Sequence, residues 1–414
     1  MPQNDTTGQL QINVTSEDNS YPISDATVSI SYTGVPDGQL ESLTTNASGQ
    51  TDIIDLETPP LEYSLNPTIE EMPYAEYTIQ VNAPGFESVT VAGTELLPAI
   101  LAIQNIQMRP LTPQTPNDEV FVIPAHTLYG TYPPKIPEAE IKPTNETGEI
   151  VLSRVVVPEY IIVHDGSPRD STARDYYIKY KDYIKNVASS EIYATWPAET
   201  IRANILAIMS FTLNRVYTEW YRNQGYDFTI TSSTAFDHKW IPERNIYDTI
   251  SVIVDELFAS YLSRPNIRQP ILTQYCDGRQ VQCPNWMTQW GSKSLGDQGY
   301  SAIEILRYFY GDDMYINSAE AISGIPSSWP GYNLEVGSSG NKVRQIQEQL
   351  RTISRAYPAI PTITADGIFG PATQEAVRTF QSVFGLPATG IIDYPTWYKI
   401  SEIYVGVSRI AELN

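Results

Sequence analysis

The apolar residues of this chain change period part-way along it, and that change rules out one uniform fold. From Gly8 to about Pro110 they alternate with polar residues, as in Leu10-Gln11-Ile12-Asn13-Val14, Thr27-Val28-Ser29-Ile30-Ser31 and Tyr77-Thr78-Ile79-Gln80-Val81. A period of two turns successive side chains to opposite faces of a sheet, so one face of each run can be buried. Asp37-Gly38, Ser48-Gly49 and Pro84-Gly85 punctuate the runs, which predicts a small antiparallel β-sandwich over residues 1–110. After Val151 the spacing becomes helical. Ile246, Ile250, Val254, Leu257 and Tyr261 recur on one face and stop before Pro265, predicting a helix through them. Ser301-Ala302-Ile303-Glu304 reads as a capping box, with Gly311 just past the helix it opens. Between the two textures, residues 111–154 carry Leu111-Thr112-Pro113-Gln114-Thr115-Pro116, Tyr132-Pro133-Pro134 and Lys142-Pro143. Such runs predict an extended, protease-accessible connector.

With 414 residues, the chain is long enough for about two to four domains, and its 41% hydrophobic content can fill their cores. Charge is unevenly spread. Residues 1–150 hold 21 acidic and three basic side chains, so −18 of the net −22 lies there, and no Lys or Arg precedes Arg109. That argues against nucleic acid as a partner and makes amino-terminal contact with an anionic surface repulsive. The first residues lack the basic start and apolar run of a secretory signal, so synthesis without a signal peptide is expected. No run approaches the ~20 apolar residues of a membrane span, so no membrane partner is expected. Cys276 and Cys283 are the two cysteines. They could close a disulfide across a turn, or join His238 around zinc, although a structural zinc site takes four ligands and His238 alone reads as a hydrogen-bonded structural residue. No cofactor is expected. His164 follows the apolar run Tyr160-Ile161-Ile162-Val163 and has no visible partner in sequence.

One carboxylate is placed expensively. Ile184, Val187, Ala188 and Glu191 stand at i, i+3, i+4 and i+7, which puts Glu191 on the apolar face of a helix. Desolvation raises a carboxyl pKa, so such a group can hold a proton near neutral pH and donate it to a glycosidic oxygen. The plainer alternative is a surface or helix-end Glu that falls in register.

Toward the carboxy terminus, Leu334-Glu335-Val336-Gly337-Ser338-Ser339-Gly340 precedes Val343, Ile346, Gln347 and Leu350. Asp366-Gly367-Ile368-Phe369-Gly370-Pro371-Ala372-Thr373 precedes Ala376-Val377, Phe380-Gln381 and Gly385-Leu386-Pro387-Ala388-Thr389-Gly390. Glycines supply the turns, Pro371 opens a helix, and Val343, Ile346, Leu350 and Ala376, Val377, Phe380 line apolar faces, giving a three-helix unit. The pattern resembles the peptidoglycan-binding domain of wall hydrolases. Asp366 and Phe369 are its candidate ligand contacts, with Tyr394 and Trp397 as further stacking candidates that are more often core.

Three further resemblances follow. Tyr21-Pro22-Ile23-Ser24-Asp25-Ala26-Thr27-Val28, Thr45-Asn46-Ala47-Ser48-Gly49 and Asn82-Ala83-Pro84-Gly85-Phe86 resemble the carboxypeptidase regulatory-like sandwich, which names a fold more than an activity. The segment around Val187-Ala188-Ser189-Ser190-Glu191 and the following Glu199-Thr200-Ile201-Arg202-Ala203 resembles the stage II sporulation protein D domain, as do Gln289-Trp290-Gly291 and Gly299 to Tyr310. In that lytic transglycosylase family the Glu matching Glu191 is catalytic. The chain departs from it at Thr231 to His238, where a Cys and His phrase is common, and at Met209 in place of Arg, which puts any carried-over metal site in doubt. Tyr193, Trp196, Tyr275, Gln289 and Trp290 are the candidate sugar contacts.

The order of modules resembles the SleC-type spore cortex-lytic enzymes of clostridia. The expected fold is thus multidomain α+β: a β-sandwich pro-region (1–110), a linker or pro-segment (111–154), a helix-rich α+β transglycosylase-like domain (155–325) and a peptidoglycan-binding domain (326–414). The resemblance implies a spore location at or outside the cortex, cortex peptidoglycan as substrate, and a subtilisin-like germination protease that cuts between about Gly148 and Val157. Two rivals remain at this stage: a metal-dependent muramoyl-peptide amidase, for which His126, His164 and His238 are thin provision, and a non-catalytic wall-binding or hydrolase-enhancing protein. Glu199, Asp227 and Asp237 are unassigned carboxylates.

Overall fold

A computed structural model describes residues 6–16, 21–35, 38–112, 118–142, 155–319, 321–322 and 332–408. It is a mixed α+β, multidomain chain. The amino-terminal part contains β1 (Thr7–Ser16), β2 (Thr27–Tyr32), β3 (Gln39–Thr44), β4 (Ile54–Glu57), the one-turn helix α1 (Glu62–Leu65), β5 (Ala75–Asn82), β6 (Ser88–Leu96), β7 (Leu101–Met108) and β8 (Asp118–Val122). One sheet runs β3-β2-β5-β6-β8. The alternation seen in sequence becomes alternation in burial: Leu10, Ile12 and Val14 on β1, Val28 and Ile30 on β2, and Tyr77, Ile79 and Val81 on β5 are buried.

Two expectations are corrected here. The strands are not all antiparallel, because β1 pairs parallel with β7 and β6 with β8. No hairpin joins either pair, so the chain is free to bring them together in the same direction. The second sheet also does not end within the amino-terminal part. Its order is β4-β1-β7 plus a strand from the middle of the chain, Ile246–Tyr247.

That middle part contains β9 (Val156–Val157), β10 (Tyr160–His164), β11 (Asp175–Lys179), α2 (Tyr180–Glu191), α3 (Ala198–Tyr217), β12 (Ile230–Thr231) and β13 (Ile246–Tyr247). It continues with α4 (Asp248–Leu257), β14 (Ser260–Ser263), β15 (Tyr275–Cys276), β16 (Met287–Thr288), α5 (Gln289–Asp297), α6 (Ala302–Tyr310), β17 (Tyr315–Ser318) and β18 (Ala321–Ile322). The helix expected from Ile246 to Tyr261 is shorter at both ends. Ile246 and Tyr247 pair with Ile103 and Ala102 of β7, and Tyr261 pairs with Asn317. A free strand edge captured residues with good β propensity, overriding the helical period.

Helix α3 is the hub, packing against α2, α4, α5, α6 and β14. Several of its buried polar groups bond to the surrounding elements: Asn204 Nδ2 donates to Ser292 Oγ (2.8 Å), Ser210 Oγ to the Ile271 carbonyl (2.9 Å), and Asn214 Nδ2 to the Pro270 carbonyl (2.7 Å). Helix α6 begins at the expected Ser301–Glu304 capping box and ends at Gly311, at φ 94°.

The carboxy-terminal module comprises α7 (Asn341–Ala356), α8 (Pro371–Val383) and α9 (Tyr394–Ser408), around Val343, Ile346, Leu350, Ala376, Val377, Phe380 and Trp397. It uses one device twice. Gln347, 1% exposed, donates to Asp366 Oδ1, the Ile368 carbonyl and Thr373 Oγ1, while its own carbonyl accepts from Gly367 N. Gln381 repeats this with Thr389, Ile391, Thr396 and Gly390 N. Each glutamine clamps a glycine turn to the start of the next helix. Gly367 and Gly390 sit at φ 79° and 72°, where a side chain would be strained.

Contacts join the three parts. Glu95 of β6 pairs with Arg244 (2.7 Å), both buried, the Trp196 indole donates to the Ser64 carbonyl (2.9 Å), and the Gln50 amide donates to the Val383 carbonyl (2.8 Å).

Candidate active site

Glu191 is the last residue of α2, and Ile192 beyond it is extended. Ile184, Val187 and Ala188 anchor the helix in the core, so Glu191, 3% exposed, is buried with them. A helix carboxy terminus carries partial negative charge and offers a carboxylate nothing. Desolvation pushes the Glu191 carboxyl above its ordinary value, opposed by the Lys135 ammonium, the Lys239 N–H and the Tyr275 hydroxyl. The Lys239 N–H donates to Oε1 (2.6 Å) and the Tyr275 hydroxyl donates to Oε2. The Gln289 amide holds the Glu191 backbone carbonyl (2.9 Å). The carboxyl is thus oriented by donors from two separate segments, and its backbone is held by a third.

Glu191, Thr234, Tyr275, Cys276, Asp277, Gln280, Val281 and Gln289 line one cavity. Behind Tyr275 lies His238, its ring stacked at 5.9 Å and its Nδ1 hydrogen-bonded to the Tyr183 hydroxyl (3.0 Å). Burial, then the Lys135 and Arg215 charges, hold this imidazole well below its ordinary pKa, so it is neutral. Cys276 and Cys283 form a disulfide, which settles the alternatives left open by sequence and removes both thiols as metal ligands. Within that loop Asp277 accepts from the N–H groups of Gln280 (2.7 Å) and Val281 (2.8 Å). Gly278, at φ 79°, packs against Thr288 where a Cβ would approach its Cβ at 2.5 Å. Among the described residues no three His, Cys, Asp or Glu side chains gather as a metal set.

Of the sequence candidates, Glu191, Tyr275 and Gln289 meet at this cavity. Tyr193 and Trp196 are 2% and 3% exposed and pack with Trp290 and His126, so they support the wall of the site. Asp366 and Phe369 lie in the distant module. Asp366 is exposed but occupied by Gln347 and the Ile368 N–H. Phe369 is 1% exposed, and Trp397 is also fully buried; neither ring can stack on a sugar, because the glycine turn folds Phe369 inward. Asp237 is committed to Arg215 (2.7 Å), Tyr221 and Thr231, while Glu199 caps Ala302 N (2.8 Å). His164 pairs with Asp175 (2.7 Å).

Sequence reasoning missed Lys135, Tyr132, Thr127, Gly130 and Pro133, which also line the cavity. They belong to the expected connector. It is packed against the body rather than exposed, because its polar groups find partners there. The Ile136 N–H donates to the Ala235 carbonyl (2.6 Å), Glu138 pairs with Arg215 (2.6 Å) and Glu140 with Arg264 (2.7 Å). Tyr132-Pro133-Pro134-Lys135 gives no periodic signal that could have revealed this. The cut expected between Gly148 and Val157 falls largely outside the described residues; Val155 and Val157, at its end, are buried.

Residues 339–400 match the family model described as a putative peptidoglycan binding domain. Over 77 residues the chain is 43% identical to the zinc D-Ala-D-Ala carboxypeptidase of Streptomyces albus G, covering 18% of this chain and 28% of that protein. The chain therefore spans little more than a quarter of that curated relative. The solved SleB N-terminal domain is 32% identical over 18% of this chain and 93% of its own, at a TM-score of 0.16. The class is that of cell-wall-associated proteins. The match is confined to the carboxy-terminal module, which is a peptidoglycan-binding domain. No helix among the described residues is long and apolar enough to cross a membrane.

Proposed function

We propose that this chain is the proenzyme of a lytic transglycosylase that degrades spore cortex peptidoglycan during germination, with Glu191 as its acid and base. The observation that carries this reading is one carboxyl, 3% exposed, its pKa raised by burial and its oxygens oriented by Tyr275 and Lys239, facing a cavity. The wall-binding module supports a polymeric wall substrate.

Protonated Glu191 gives its proton to the oxygen linking N-acetylmuramic acid to N-acetylglucosamine, and the bond from muramoyl C1 to that oxygen breaks. The muramoyl C6 hydroxyl then bonds to C1, and Glu191 takes the hydroxyl proton. A 1,6-anhydromuramoyl end forms and no water is consumed. Hydrolysis of a glycoside ordinarily requires two flanking carboxylates, whereas internal attack runs on one. That matches a cavity whose second lining carboxylate, Asp277, is engaged in holding its own loop.

An amidase would require a metal, and the three histidines are spent separately: His126 against Tyr193, His164 on Asp175 and His238 on Tyr183. The test is digestion of cortex peptidoglycan with the protein cut between about Gly148 and Val157, followed by mass spectrometry. Anhydro ends that vanish in Glu191→Gln are expected. Reducing ends or free peptides overturn the reading.

A further inference from the structure

We propose that residues 125–142 are a built-in plug that closes the Glu191 cavity from within the chain, with the Lys135 ammonium seated over the ring of Tyr275, whose hydroxyl holds the catalytic carboxyl. The proposal rests on the reading of Glu191 as catalytic and deepens it by naming what holds the site shut.

The geometry is that of a fastened segment. Thr127 N and Oγ1 both donate to the carbonyl of Ser190, the residue before Glu191 (3.2 and 3.0 Å). The Lys135 Nζ donates to the Asp237 carbonyl (2.5 Å) and lies 4.6 Å from the centroid of Tyr275, the ring whose hydroxyl holds Glu191. Beyond it, Gln274 grips the backbone at Ile136 and Glu138 from both sides (2.8 and 2.9 Å). Glu138 is bidentate to Arg215, and Glu140 is bidentate to Arg264. Thr127, Gly130, Tyr132, Pro133 and Lys135 of this segment form one wall of the Glu191 cavity, so a glycan reaching the carboxyl must pass them.

Chain order completes the argument. The plug lies between the amino-terminal sheets and residue 155, so a cut between about Gly148 and Val157 leaves it on the amino-terminal piece. That piece stays held to the body by β7–β13 pairing and by the buried Glu95–Arg244 pair. The cut therefore permits opening rather than performing it: the cut chain is active once the amino-terminal piece, and the plug with it, comes away.

The test uses the uncut full chain and the double variant Lys135→Glu with Glu138→Ala, compared for anhydro-end release from cortex. Deuterium uptake over residues 125–142 is followed with and without soluble glycan chains. We expect release at least about tenfold above the uncut parent, within the usual range of coupling between sites, and faster exchange over the plug. A peptide of residues 125–142 added to the double variant restores silence, and the same peptide carrying Lys135→Glu does not. Melting curves check folding, and if the double variant unfolds, the two peptides are added to the cut chain instead. An uncut parent as active as the double variant overturns the plug. So does a silent, folded double variant beside an active cut chain. If the plug opens and glycan then protects the cavity but no anhydro ends form, the plug stands and the catalytic reading of Glu191 falls.

Discussion

Tyr275→Phe should move the pH dependence of cutting in a direction fixed by the hydrogen bond it removes. The Tyr275 hydroxyl donates to Glu191 Oε2, and both side chains are buried, at 4% and 3% exposure, so solvent does not replace the lost donor. A hydrogen bond to a charged group contributes about 1.5–3 kcal/mol, and about 1.4 kcal/mol corresponds to one pH unit of pKa. The bond favours the carboxylate, so its loss raises the already raised Glu191 pKa further. As general acid, Glu191 must be protonated in the free enzyme, and kcat/KM falls as pH rises through its pKa. The descending limb of the kcat/KM profile should therefore shift upward by about one to two pH units. The assay is anhydro-end formation by the cut protein from pH 4 to 9, with Lys239 and its backbone donor unchanged. A limb that stays still or moves down would refute the assignment of Tyr275 as the donor that tunes this acid.

Replacing Cys276 and Cys283 with Ser should lower stability by roughly 2–3 kcal/mol, the loop-closure value for cysteines seven residues apart. Urea unfolding of the variant and of the reduced parent should coincide, and a parent insensitive to reductant would speak against the disulfide. In the module, Gln347→Ala should unfasten the turn at Gly367 and cost about 1–3 kcal/mol for each buried polar group left bare. Wall retention in a peptidoglycan pull-down should fall with module stability, and Gln381→Ala should behave alike, since both glutamines hold the same kind of turn.

What could be read from sequence was what depends on local period. Alternation placed Leu10, Ile12 and Val14 in a sheet core, and helical spacing put Glu191 on the buried face of its helix. What could not be read depends on partners distant in sequence. Ile246 and Tyr247 carry a helical register, yet they finish a sheet whose nearest strand lies at residues 101–108. Lys135 and Glu138 sit in a Pro-rich stretch with no period, and their structure comes from Tyr275, Asp237 and Arg215. Phe369 shows the opposite failure: its loop looked like a ligand surface, but Gln347 folds the turn so that the ring faces the core.

Charge gives the plug a further meaning. Within residues 1–150 lie −18 of the net −22, yet Lys135, one of three basic residues there, is seated over Tyr275 in the cavity of the candidate acid. An acidic amino-terminal part repels an anionic polymer at long range, within roughly a Debye length of 8–10 Å, whereas the plug acts by contact. The two effects differ in salt dependence. Screening should weaken the first and leave the buried, hydrogen-bonded plug largely intact. If the uncut chain approaches the activity of the cut chain as ionic strength is raised, repulsion dominates; if it stays silent in high salt, the plug's contacts at the cavity do.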